Sequence, residues 1–546
     1  MTNKHKGAFA VGAGILLSRL SGLLRQKLIA HFLGVGPVAA AFVAAMKIPN
    51  FLQNLFGEGA LSAAFIPVYA RLRAQKQDEE ADKLAFGLFA LLVLFIALLV
   101  LLGMEFAESL VAVFAPGFKG EQKALTAQLV RILFPGTGVL VLSAWCLGIL
   151  NSHRQFFLSY AAPVVWNGCI IAALLLGGTA WGVELSTLAR WACWGAVVGS
   201  LAQFLLQCPF VARCLGKPRL HLMYLKGVAL REVLKNALPA VASRGVAQIN
   251  ALIDTALASL VGPRAMAAMA NAQVFALLPV SLFGVAISAA ELPALSEEAD
   301  ALDAAAKAAL QQRLAGALDR MALFVIPSAV ALFALGDLIA SLFESGLITA
   351  ADTRYVWYML AAASLGLWAQ TRARLFTSAF FALKDTRTPF KLSMLRLAIS
   401  ALVGFFAALY AAGWLGLPAH MGAVGLCLVS SLVAWVEYLL LQKRLALCIG
   451  APPRRPLGNA RLWCAAICAA LLTLAMKYGL SVKFGVAASL GEEWGGQWLA
   501  APQLPQAWWL SFLLLPYGGI YFLMAALFGD LRGRAWLVRL GGFFSK

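Results

Sequence analysis

Runs of about 20 apolar residues recur from one end of this chain to the other, and they fix its fold class. Lipid offers no hydrogen bonds, so a segment that crosses it must satisfy its own backbone, and single runs of this length do so only as helices. About fourteen spans can be placed, the first two over 7–33 and 38–68. Charged residues make up only 13% of the 546, where soluble globules carry about 25%. The expected fold is all-α, a polytopic membrane protein with no separate soluble domain.

The formal net charge is +19, which in a soluble protein would suggest nucleic acid. Here its distribution matters more. Alternate connections between spans carry roughly 28 Lys and Arg on one side against about 6 on the other, which puts that basic side and both termini in the cytoplasm. The excess therefore reads as orientation in a cytoplasmic membrane, with no nucleic-acid partner. The apolar N-terminus after Lys4 and Lys6 lacks a small-x-small cleavage site and contains two arginines, so it reads as a mature helix. Nine cysteines lie in spans or on the basic side and predict no disulfide framework. Cys464 and Cys468, four apart with no His or carboxylate beside them, read as packing and not as a metal site.

An internal repeat organises the first twelve spans. Ser18-Arg19 heads a helix ending at Gly36-Pro37, with Pro67 in the next. Ser243-Arg244 heads one ending at Gly262-Pro263, with Pro293 in the next, and Gly-Pro lies the same distance from the later proline in both copies. Two parallel six-helix lobes follow, an N-lobe over 1–230 with its cytoplasmic linker and a C-lobe over 231–450, then two further helices and a basic tail over 451–546. Pro49, Pro67, Pro239, Pro279 and Pro293 lie inside spans and permit bending, as alternating access requires. The last two spans are rich in tryptophan at their outer ends and either build a side groove or pad the bundle.

No catalytic triad, phosphate-binding loop or metal cluster appears, so an enzyme is not expected and no cofactor is implied. Without a nucleotide-binding domain, transport would be secondary or driven by membrane potential. What stands out is charge inside the spans. Arg19, Arg25 and Lys47 in the first half, with Arg244, Arg372 and Arg374 in the second, outnumber Glu58 and Asp254. Each charge at mid-span costs about 2.5–3.5 kcal/mol against about 0.3–0.6 gained per large apolar residue, so such groups belong in a wet cavity or a bundle interior. Cationic cavities suit anionic substrates, because guanidinium grips phosphate oxygens in pairs. Arg19 and Arg25 are expected to border one cavity. Asp254 has two readings, a site for a coupling cation or proton and a partner for a buried base such as Arg244.

Three ordered segments then carry a resemblance: Lys47-Ile48-Pro49-Asn50 through Gly57-Glu58-Gly59-Ala60 to Ile66-Pro67; Leu150-Asn151-Ser152-His153 through Ala162-Pro163 to Asn167; and Lys384-Asp385-Thr386-Arg387-Thr388-Pro389. Together they resemble the MurJ (MviN) family of bacterial lipid II flippases, within the multidrug/oligosaccharidyl-lipid/polysaccharide exporter superfamily. The resemblance implies movement of an undecaprenyl-pyrophosphate-linked peptidoglycan precursor from the cytoplasmic to the periplasmic leaflet. By position it implies polar cavity roles for Arg19, Arg25, Lys47, Glu58 and Arg374, a lipid-tail groove for the last two helices, and cell-wall synthases as partners of a monomer. The chain departs from the family pattern at Gln26, Ala40 and Gln53, where acidic, acidic and arginine residues are common, and at Gln273-Val274 in place of an Asp-Arg pair. Two alternatives stay open: a related cation-coupled exporter, and a degenerate homologue serving as a scaffold in envelope synthesis.

Overall fold

The computed structural model describes residues 3–153, 155–215, 228–285, 287, 288, 291, 295, 304–450, 456–483 and 506–528. Among them every regular element is a helix. Among the described residues, nine helices are long and apolar enough to cross a membrane. Further apolar stretches among the described residues run over Gln248–Val261 and Leu513–Leu527, and the expected spans 7–33, 38–68 and 352–382 hold charges that drew attention in the sequence.

The first compact unit is Met1–Ala267. Its helices are α1 (Asn3–Leu33), α2 (Pro37–Phe56), α3 (Glu58–Ala74), α4 (Asp78–Glu105), α5 (Ala107–Phe114), α6 (Gly120–Ser152), α7 (Phe156–Ala161), α8 (Pro163–Leu175), α9 (Leu185–Cys214) and α10 (Val228–Val261). The expected second span is two helices, broken at Gly57. An added Cβ there would lie 2.4 Å from the carbonyl oxygen of Gln53, so only glycine allows this tight join. α6 is the central post, with α2, α3, α4 and α9 packed around it. Its Trp145, Ile149 and Leu150 are buried with Phe65 and Tyr69 of α3 and Leu84, Ala85 and Leu88 of α4. Ser143 Oγ donates to Gln207 at 2.7 Å and accepts from Gln203 at 2.8 Å, which ties α6 to α9. α10 packs against α2 and α3 within the same unit.

The second unit is Ala268–Lys546. α11 (Pro263–Pro279) leads into it and ends in a wide π turn over Val280–Val285. Then come α12 (Ala304–Ala334), α13 (Gly336–Ala340), α14 (Ala350–Ala382), α15 (Arg387–Phe406), α16 (Gly422–Ile449), α17 (Pro456–Lys483) and α18 (Gln506–Leu527). α14 starts on a capping box, in which Thr349 Oγ1 accepts from the Asp352 N–H and the Asp352 carboxylate accepts from the Thr349 N–H. α16 lies along α14, tied by Ser431 Oγ donating to the Ala362 carbonyl and the Trp435 indole donating to that of Leu365. The Lys384–Pro389 motif is a helix start: the Asp385 carboxylate accepts the backbone N–H groups of Arg387 and Thr388, both at 3.0 Å. Hydrogen bonding from Thr388, side chain first, holds that carboxyl below the usual aspartate range.

α12 contains Pro327, which has no N–H for the carbonyl four residues back, that of Leu323. The Tyr521 hydroxyl of α18 supplies the missing donor at 2.9 Å, and Tyr517 donates to the Pro327 carbonyl at 2.8 Å. Lys477 of α17 pairs with Asp337 of α13. The two C-terminal helices are thus fastened to α12 and α13 by specific polar links.

Candidate functional site

The clearest arrangement of an intramembrane cation is built by α1, α8 and α9. Pro163 opens α8, where its fixed φ suits the first helical position and its missing N–H costs nothing. Gly195 and Gly199, one turn apart on α9, then let the two backbones close up. A Cβ on Gly199 would sit 2.9 Å from the Trp166 carbonyl oxygen. The Trp166 indole N–H donates to the Ala196 carbonyl at 3.0 Å, which leaves the ring face free. Arg25 of α1 lies over that face at 4.8 Å, and its Nη1 donates to Asn167 Oδ1 at 3.0 Å. Asn167 is 4% exposed and uses its other half as well, Nδ2 donating to Ser21 Oγ at 2.8 Å. A cation–π contact contributes about 0.5–2 kcal/mol and a hydrogen bond to a charged group about 1.5–3, together the size of the insertion cost. Arg25 is therefore an affordable charge in lipid because α8 holds it.

The other sequence-named residues are distributed as follows. Arg19 is exposed on α1 beside exposed Leu16 and Leu20. Lys47 donates to Thr255 Oγ1 of α10 at 3.2 Å, and Asp254 is its electrostatic neighbour. Asn250 donates to the Asp254 carboxylate at 3.2 Å, so α2 and α10 share a polar strip. Of the two readings for Asp254, this geometry gives it a basic neighbour in Lys47. The side chains of Glu58 and Arg244 lie outside the described residues. Among those described, no three His, Cys, Asp or Glu side chains gather as a metal site.

In the second unit Arg372 stacks on Trp368 at 5.0 Å and on Tyr438 at 4.5 Å, while Arg374 is exposed with Arg396 and Glu437 in electrostatic reach. Glu437 of α16 is a further carboxylate within an apolar span. It is 7% exposed and takes Arg396 Nη1 at 2.7 Å and Ser393 Oγ at 3.0 Å. Its signal in the sequence is a lone acid within the apolar run 419–442. The partnership with Arg396 has no such signal, since the two lie on different helices.

A family model described as lipid II flippase MurJ matches residues 29–488. The chain belongs to the MurJ family. The lipid II flippase MurJ of Burkholderia cenocepacia is 30% identical over 534 residues, covering 96% of this chain and 98% of that protein. A probable lipid II flippase MurJ of Rhizobium tropici is 32% identical over 403 residues, covering 72% and 74%. A solved structure of lipid II flippase MurJ in an inward closed conformation aligns with TM-score 0.73 at 24% identity, over 95% of this chain and 98% of that one. An inward-facing MATE family transporter of the MOP superfamily aligns with TM-score 0.64 at 18% identity, over 79% and 95%. Both structural likenesses are likenesses of fold. Of the departures from the MurJ pattern, Gln26 and Ala40 are buried, and Gln53, Gln273 and Val274 are half-buried.

Proposed function

We propose that this chain moves lipid II, the undecaprenyl-pyrophosphate-linked precursor of peptidoglycan, from the cytoplasmic to the periplasmic leaflet by alternating access. Membership of the MurJ family across residues 29–488 is the observation that carries this reading. Arg25 gives it chemistry, because a guanidinium fixed in a bundle of apolar helices favours a phosphate-bearing headgroup over a neutral one. Arg19, Lys47, Glu58, Arg244 and Arg374 are proposed to join it along the route, with Asp254 balancing the charge of Lys47 or taking the coupling ion. Lipid II is the substrate. The protein sits in the cytoplasmic membrane with both termini in the cytoplasm, a monomer working beside cell-wall synthases. The N-lobe, the C-lobe and the C-terminal pair, over 1–230, 231–450 and 451–546, are the working parts.

Complementation tests the reading. Cells depleted of their own lipid II flippase should survive on this chain, and Arg25→Ala should abolish rescue while the protein still reaches the membrane. Failure of the wild-type chain to rescue, with flipping absent in reconstituted vesicles, would count against the flippase. Undiminished rescue by both Arg19→Ala and Arg25→Ala would remove the assigned site and leave the fold standing.

A further inference from the structure

The motif that ends at Asn167 has a helix start to explain Pro163 but no role yet for the asparagine. We propose that Asn167 is a positioning residue that aims the guanidinium of Arg25 at a lipid diphosphate, an assignment that rests on the flippase reading above.

Arg25 spends Nη1 on Asn167, while its Nε is buried and has no hydrogen-bond partner among the described residues. Nε belongs to the side-on edge of the guanidinium, the edge that grips two oxygens of a phosphate at once. Asn167 thus occupies the end of the fork and leaves Nε, on the bidentate edge, without a protein partner among the described residues. The direction of the amide is not arbitrary. Its Nδ2 donates to Ser21 Oγ, and Ser21 Oγ donates in turn to the Ser18 carbonyl at 2.9 Å. Reversing the amide would set an N–H against the N–H of Arg25. The chain of bonds therefore runs from the backbone of α1, through α8, back to a side chain of α1. Trp166 removes the remaining freedom, because stacking at 4.8 Å fixes the plane in which that edge lies. A long side chain with several free torsions is so reduced to one orientation, which lowers the ordering cost of binding.

The test measures binding of undecaprenyl diphosphate and undecaprenyl monophosphate to the purified full chain in detergent, with thermal midpoints to check folding. The wild type should prefer the diphosphate. Asn167→Ala should weaken that binding about tenfold and narrow the preference, as expected for a misaligned charge-assisted contact. Asn167→Asp, of the same shape, should fold normally yet also bind more weakly, because its carboxylate neutralises Arg25. In an Arg25→Ala background Asn167→Ala should change nothing further, since its effect passes through Arg25. Asn167→Ala or Asn167→Asp binding like wild type would overturn the assignment, as would a loss that persists in full without Arg25. A wild-type chain that binds neither lipid would overturn the flippase reading itself, and this assignment with it.

Discussion

His153 caps the last turn of α6 in the Asn151-Ser152-His153 segment, and its Nε2 lies 3.1 Å from the hydroxyl of buried Tyr69. Burial pushes the imidazole below its ordinary value, and the positive charge of Arg73 adds to the effect. The folded chain then resists a proton that the unfolded chain accepts, so stability falls as the pH drops below about 6.5, and the loss levels off below the lowered folded value. The thermal midpoint of the wild type should therefore drop further between pH 7.5 and pH 5.5 than that of His153→Gln. Equal drops would show that His153 carries none of the acid sensitivity. At this scale the sequence shows which charges stand among apolar neighbours and is silent about their partners. Arg25 announces itself as a charge among apolar neighbours, but Asn167 looks like any helix asparagine until α1 and α8 are side by side.

Helix existence was legible from apolar run length, because a lipid solvent leaves the backbone one solution. What could not be read was where a run breaks. Gly57 divides one expected span into α2 and α3 through a backbone approach that has no hydropathy signature. The attachment of the last two helices was equally hidden, and Tyr521 makes part of it. Tyr521→Phe leaves the Leu323 carbonyl without a donor in the interior and should cost about 1–3 kcal/mol in unfolding experiments. The cost should shrink in a Pro327→Ala background, where the restored N–H can reach Leu323. Equal costs in both backgrounds would mean that Tyr521 acts by packing alone. On α9, Gly199→Val should drive α8 away and reduce diphosphate binding with Asn167 and Arg25 both intact, read as a weaker Kd in a chain that is still folded.

For the molecule as a whole, the one-sided distribution of Lys and Arg predicts an orientation with both termini in the cytoplasm. A fluorescent protein fused after Lys546 should fold and emit, and alkaline phosphatase inserted in the connection at 344–349, between α13 and α14, should be active. The reverse pattern would invert the topology and with it the direction proposed for transport. Arg25 also bears on how the chain is made. Its hydrogen-bond partner Asn167 is 142 residues further along, so at synthesis rates of about 5–20 residues per second α1 waits on the order of ten seconds for the helix that makes its charge tolerable. During that interval the ribosome is still feeding the membrane, and α1 must be sheltered by the insertion machinery. The earliest helix to emerge is accordingly among the later ones to settle, and its release into lipid depends on the arrival of α8.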